Sequence, residues 1–226
     1  MKHIAIAVVM IVVITVCAAG VDAGPLKPAD IIWVIDTSGS MSLDIADIKS
    51  RFLDFNTAMT TAGIDAHYGL VEFGGTSGSG STSGSAVLRT DVTDYTSFIA
   101  SSGWTNLSAA SGGIESGSLA TSTAMGATFR SGSVINIILV TDEDDDSDGF
   151  DYVVNPGTRP VLAQAHTDLG SALFNFIGVP NTGNTNWTYG YLASNHGGAA
   201  FDIETYRSDG DPFFDNFVAT KVEEIQ

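Results

Sequence analysis

Runs of apolar residues alternate along this chain with segments whose apolar residues recur at helical spacing. A continuous apolar run at 31–35 predicts a buried strand, and the pattern just beyond it predicts an amphipathic helix over about 45–59. Further strands are predicted at 68–73, 134–140, 173–179 and 200–203, and further helices at 94–101, 158–169 and 214–225. This alternation predicts an α/β fold, with a doubly wound, mainly parallel sheet flanked by helices.

Three segments carry weaker patterns. Residues 86–92 follow the strand at 68–73 after a long Gly/Ser/Thr-rich loop, which predicts one antiparallel edge strand. Widely spaced apolar residues among Ala, Ser and Gly predict a long helix over 106–127. Residues 180–198 are polar apart from two aromatic residues, and they are predicted to form a long loop.

The first 23 residues have the pattern of a secretory signal peptide. Lys2 and His3 precede an apolar stretch at 4–16, and Val21-Asp22-Ala23 offers a small-residue cleavage site. The apolar stretch is short for a membrane span, so cleavage is preferred to an uncleaved anchor. We therefore predict a signal peptide at 1–23 and one domain at 24–226, secreted, extracellular or on the cell surface, with a periplasmic location also possible.

Cysteine content and charge narrow the function classes. Cys17 is the only cysteine of the 226 residues and would leave with the signal peptide, so the mature domain has no disulfide. The formal net charge is −17, which argues against nucleic-acid binding because that function needs a basic face. The same charge argues against docking of the mature domain on an anionic membrane.

Three oxygen-bearing side chains follow the first predicted strand. Asp36, Ser38 and Ser40 would lie at the carboxyl edge of the sheet, where open α/β sheets bind their ligands. One carboxylate and two hydroxyls are hard ligands, which suit Mg²⁺, Mn²⁺ or Ca²⁺ rather than zinc. Serine, glycine and aspartate are also common in turns, so this motif alone does not decide between a site and a turn.

The pattern Asp36-x-Ser38-x-Ser40 resembles the metal-ion-dependent adhesion site of von Willebrand factor A domains. Thr105, before the predicted long helix, and Asp142, after the strand at 134–140, match the family's second and third loops. The resemblance implies a divalent cation, Mg²⁺ or else Mn²⁺ or Ca²⁺, held by all five side chains. It also implies a protein or matrix partner whose acidic side chain completes the coordination of the metal.

The loop after Asp142 departs from the family's usual pattern because Glu143 and a run of aspartates follow. Asp144, Asp146 and Asp148, with Gly149 next, match positions 1, 3, 5 and 6 of an EF-hand calcium loop. Position 12 is an asparagine rather than a glutamate. This loop is either a second, weak cation site, for Ca²⁺, or a solvated acidic surface.

Three functions remain open from the sequence. The first is a metal-dependent adhesion-type binding module without catalysis. The second is a hydrolase or phosphotransferase that uses Asp36 as its nucleophile, although the second aspartate of such enzymes is replaced here by Ser38. The third is a structural surface-assembly domain with an idle metal site. All five ligand positions of the adhesion-site pattern carry an oxygen-bearing side chain, and this favours the first function over an idle site.

Overall fold

The computed structural model describes residues 25–75, 84–148, 159–179 and 185–226, without the side chains of 186 and 187. The predicted signal peptide with Cys17 lies outside the described residues, as do Gly149 and the asparagine at position 12 of the calcium-like loop. Within the described residues, no helix is long and apolar enough to cross a membrane.

The described residues form one six-stranded sheet with helices on both faces. The strands are β1 (Lys27–Asp36), β2 (Ile64–Phe73), β3 (Ala86–Thr93), β4 (Val134–Val140), β5 (Leu173–Gly178) and β6 (Ala200–Asp202). The helices are α1 (Ser42–Thr61), α2 (Tyr95–Ala100), α3 (Ser102–Asn106), α4 (Gly117–Ala124), α5 (Pro160–Leu169), α6 (Tyr191–Asn195), α7 (Ile203–Asp209) and α8 (Asp211–Ile225). A 3₁₀ turn at Gly39–Met41 precedes α1, and a π-helical turn at Asn186–Gly190 precedes α6.

The strand order is β3-β2-β1-β4-β5-β6, and only the β2–β3 pair is antiparallel. The predicted α/β fold, with its mainly parallel sheet and antiparallel edge strand, is confirmed. β1 lies in the centre because its apolar residues are buried on both faces of the sheet. Ile31 and Trp33 pack towards α1 and α8, whereas Ile32 and Val34 pack towards α4 and α5.

Two predicted elements were wrong in extent. The helix expected over 106–127 is α4 alone, and residues 107–116 form an extended loop before it. The loop expected over 180–198 is helical from the π-helical turn through α6 in its described part, because Tyr189 and Leu192 are fully buried against the sheet. Because most residues of this segment are polar, its composition did not indicate an apolar surface in contact with the sheet.

Candidate metal site

The candidate site lies where the strand order reverses. β1 and β4 are neighbours and parallel, with Ile35 opposite Val140, and their following segments leave towards opposite sides of the sheet. Asp36 ends β1, and Asp142 follows β4 by two residues. In open α/β sheets the crevice at such a reversal is the usual ligand site.

Oxygen atoms of three predicted ligands meet in this crevice. The hydroxyl oxygens of Ser38 and Ser40 lie 3.2 Å apart. The Ser40 hydroxyl donates a hydrogen bond of 2.9 Å to Oδ1 of Asp142. The structure therefore places side chains that are 102 positions apart in the sequence in direct contact.

Asp36 supports this cluster from below, and its side chain is fully buried. Its Oδ1 accepts a hydrogen bond of 2.7 Å from the Ser38 amide, and its Oδ2 accepts one of 2.8 Å from the Thr141 hydroxyl. Burial raises the pKa of Asp36 to about 6, and the nearby Asp142 carboxylate adds to this rise, while the hydrogen bonds oppose it.

Among the described residues, Thr105 shares no hydrogen bond with the other four predicted ligands. It belongs to α3, and its hydroxyl donates to the Ser101 carbonyl at 2.9 Å. The neighbouring Trp104 packs on Phe52, with ring centroids 4.5 Å apart, so α3 lies beside the middle of α1. The chain reaches the crevice only later, through the 107–116 loop that was predicted as helix.

That loop is held at the crevice by close backbone contacts. The Ala110 amide donates to the Thr37 carbonyl at 2.7 Å. A β-carbon at Gly112 would collide with the Gly74 carbonyl, and one at Gly74 would collide with Oδ1 of Asp36. Gly74 also has a φ of +81°, which disfavours other residues. Two glycines therefore allow the loops to close around Asp36.

Glu115 is a buried acid of the site that sequence reasoning missed. Burial, followed by the charges of Asp36, Glu143, Asp146 and Asp142, raises its pKa to about 8. Glu115 is the only acidic residue between Asp94 and Asp142 in the sequence. A single acid in such a long segment without other acidic residues could have been identified from the sequence as a candidate site residue.

The acidic run after Asp142 divides into different roles. Asp145 is buried and accepts hydrogen bonds from the Ser118 amide and hydroxyl, which fixes the loop to α4. Asp148 accepts hydrogen bonds of 2.8 and 3.1 Å from the amides of Val161 and Leu162, at the start of α5.

The remaining acids of this run face the crevice. Glu143, Asp144 and Asp146 line the same open cavity as Ser38 and Ser40. Of the three residues predicted to hold a second cation, two therefore line the candidate site and Asp148 caps a helix. Burial, followed by neighbouring carboxylates, raises the pKa of Glu143, and burial also raises that of Asp146.

Arg207 contacts Asp142 on the side away from Ser40. Nη2 of Arg207 lies 2.8 Å from Oδ2 of Asp142 and 2.7 Å from Oδ2 of Asp44. Arg207 also bonds Glu204, its neighbour on α7. One oxygen of Asp142 thus faces the Ser40 hydroxyl and the other faces a guanidinium.

These donors suit a small, hard divalent cation. Adjacent ligands of octahedral Mg²⁺, each at 2.0–2.1 Å, lie about 2.9 Å apart, and the Ser38–Ser40–Asp142 oxygen spacings are 3.2 and 2.9 Å. Within the described residues, no group of three or more His, Cys, Asp or Glu side chains is arranged to hold a metal. Any cation here must therefore rely on the serine hydroxyls and on water as well as on carboxylates.

Comparisons with known proteins extend the fold assignment. No protein-family model matches the sequence, and no curated protein matches it. Similar solved structures include two crystal structures of the pilus adhesin SpaC from Lactobacillus rhamnosus GG, one of them in an open conformation. Their sequence identities to this chain are 16% and 15%, and both comparisons have a TM-score of 0.58 and cover 88% of this chain. This chain spans 30% and 31% of the lengths of those two adhesin chains, and the likeness shows the fold.

Proposed function

We propose that this protein is a secreted or cell-surface binding module of the adhesion type, whose contact with its partner depends on a divalent cation. The observation that carries the proposal is the oxygen spacing of Ser38, Ser40 and Asp142, at 3.2 and 2.9 Å, directly above the buried Asp36. The pattern at the end of β1 resembles the adhesion site of von Willebrand factor A domains, which supports the same function.

Each side chain of the site has a separate task. Ser38, Ser40 and Asp142 would bind Mg²⁺, or else Mn²⁺ or Ca²⁺, directly. Asp36 adds negative charge from below and fixes the loop, because both of its oxygens already accept hydrogen bonds. The cation, when bound, offers a coordination position to an oxygen of the partner. Thr105 takes no part in this assignment.

The surroundings of the site favour a protein or matrix partner. The similar SpaC structures are named as pilus adhesins, which supports a surface-binding role. Leu43, at the start of α1, is 82% exposed and lines an open pocket with Ser40 and Asp142, so it offers an apolar contact beside the cation. Because the rim is acidic, the partner would present one acidic side chain to the cation with basic residues around it.

The alternative enzymatic function has less support. A phosphotransferase would need Asp36 to expose a free carboxylate oxygen to its substrate. Both oxygens of Asp36 instead accept hydrogen bonds, and the side chain is fully buried. The alternative of a structural assembly domain with an idle site differs from our proposal in one measurable property, because its binding would not respond to metal.

Calorimetric titration of the full chain with Mg²⁺ and Mn²⁺ tests the metal site. We expect binding by wild type and none by Ser38→Ala with Ser40→Ala. A matched control is Ser50→Ala with Ser97→Ala, which removes two exposed hydroxyls elsewhere. Retention on a panel of immobilised extracellular proteins should then require Mg²⁺ and be lost in EDTA. Equal retention in EDTA would contradict the proposal.

A further inference from the structure

A lysine is fully buried in the core, away from the metal site. Lys221 of α8 has no exposed surface, and its Nζ lies 5.1 and 5.7 Å from the ring centres of Phe201 and Phe217. Its Nζ also lies 2.7 Å from Oε2 of Glu224, one turn along the same helix. Buried lysines are rare because the charged amine loses its hydration.

Two asparagine amides meet the same glutamate oxygen. Oε2 of Glu224 accepts hydrogen bonds from Nδ2 of Asn175 at 3.1 Å and from Nδ2 of Asn136 at 3.4 Å. Asn136 and Asn175 are both fully buried, on neighbouring strands β4 and β5. A single carboxylate oxygen therefore lies between a primary amine and the nitrogen of a buried carboxamide.

The surroundings make the uncharged, nucleophilic form of Lys221 easier to reach than in an exposed lysine. Burial lowers the pKa of Lys221 to about 8, although Glu224 opposes this change. A neutral amine in a nonpolar pocket is a nucleophile, and an adjacent carboxylate can carry its proton. A buried ion pair that serves stability alone is often replaceable by apolar residues without loss, so stability does not by itself explain this arrangement.

We propose that Lys221 and Asn175 react to form an amide bond between their side chains, with Glu224 as the proton carrier. The proton of the ion pair moves first from Nζ to the Glu224 carboxylate, which leaves a neutral amine and a neutral acid. Nζ then attacks Cγ of Asn175 and forms the new C–N bond. Nδ2 receives a proton from Nζ through Glu224, the Cγ–Nδ2 bond breaks, and ammonia leaves. It takes the proton of Glu224 and departs as ammonium, so no oxidant or other reactant is needed.

Hydrogen bonding selects Asn175 rather than Asn136 as the acyl donor. Oδ1 of Asn175 accepts a hydrogen bond of 2.6 Å from the Ala199 amide. That amide would stabilise the negative charge that develops on Oδ1 during the attack. Oδ1 of Asn136 instead accepts from Nδ2 of Asn175, and its own Nδ2 is farther from Glu224.

The bond would join the C-terminal helix to the sheet. α8 covers one face of the sheet, and β5 pairs with β4 near its centre. A covalent link from Lys221 to Asn175 closes the chain between them into a loop, which restricts the unfolded state and so stabilises the fold.

Mass spectrometry of the folded full chain tests the proposal directly. Wild type should be lighter than its unlinked sequence by one ammonia molecule. Trypsin should fail to cleave after Lys221, and the peptide containing Lys221 should be joined to the one containing Asn175. The Lys221→Met, Glu224→Gln and Asn175→Ala variants should each have the unlinked mass, whereas the control Lys49→Met should keep the link.

Two results would overturn the inference. One is a wild-type protein that is folded by circular dichroism, has the unlinked mass and is cleaved after Lys221. The other is a cross-linked peptide in which the lysine is joined to Asn136, since that would contradict the choice of Asn175. Because the main measurement uses wild type, failure of a variant to fold does not affect it.

Discussion

Replacement of Asp36 by asparagine is expected to stabilise the metal-free protein at neutral pH and to weaken its response to divalent cations. Burial raises the pKa of Asp36 from 3.8 to about 6, so the folded state disfavours the charged carboxylate. For an acid with a raised pKa, this penalty is absent below the unfolded pKa. It grows as the pH rises and is complete above the folded pKa.

The magnitude follows from this shift. At about 1.4 kcal/mol per pKa unit, the penalty is about 3 kcal/mol at pH 7 and less than about 1 kcal/mol at pH 4. Asparagine keeps an acceptor for the Ser38 amide, but its amide group faces the Thr141 hydroxyl, whose hydrogen then loses its acceptor. With about 1 kcal/mol for that lost hydrogen bond, the net gain is about 2 kcal/mol at pH 7 and close to zero at pH 4.

Urea unfolding in EDTA at both pH values measures this difference. Excess Mg²⁺ should then stabilise wild type by about 2.7 kcal/mol at a hundredfold excess over its Kd, and should stabilise Asp36→Asn less at the same Mg²⁺ concentration. Asp94→Asn is a control of opposite sign, because hydrogen bonds from Ser97 lower the pKa of the exposed Asp94, so its loss should be destabilising. If Asp36→Asn were equally destabilised at pH 7 and pH 4, the burial argument would fail.

Three further outcomes are expected. Arg207→Ala should raise the Mg²⁺ affinity measured by calorimetry about tenfold, because it removes a positive charge in contact with Asp142. Arg207→Lys keeps that charge and should change the affinity little, so equal affinities of the two variants would contradict this explanation. Asp148→Ala should lower the free energy of unfolding by about 1 kcal/mol, since the carboxylate caps the start of α5, and an unchanged urea midpoint would refute that role. Calcium calorimetry should show two binding events in wild type and one after Asp144→Asn with Asp146→Asn; a single event in both would identify a solvated acidic loop.

The local pattern of apolar and polar residues was sufficient to predict much of the fold, because it reflects which side chains are buried. The continuous apolar run of β1 and the helical spacing of α1 each reflect a contact surface within one element. Asp36, Ser38 and Ser40 followed from the same reasoning, since the carboxyl end of a central parallel strand fixes where they lie. Asp142 came instead from the resemblance to von Willebrand factor A domains, whose third loop carries an aspartate after a buried strand, and it follows β4 by two positions.

The errors lie where small residues or distant contacts decide the structure. Ala, Ser and Gly fit a closely packed loop as well as they fit a helix, so the 107–116 segment was wrongly predicted as helix. Gly112 is needed for its approach to Gly74, 38 positions earlier in the sequence, and no local period records that contact. The contact of Arg207 with Asp44 likewise joins residues 163 positions apart.

Buried acids in this protein differ in whether a basic side chain compensates their charge, and that difference supports our proposal that a cation binds at the site. Asp30 is fully buried, and Nε of Arg130 lies 2.6 Å from its Oδ1. Asp36 and Glu115 form no ion pair with lysine or arginine within the described residues, and burial and neighbouring carboxylates raise the pKa of both. If the proposed cation binds beside these two acids and the serine hydroxyls, the cation-bound form would have the lower free energy. The cation would offset the charge of Asp36 from a neighbouring position, as Arg130 offsets that of Asp30 by direct contact, and the metal-free domain is expected to be the less stable form.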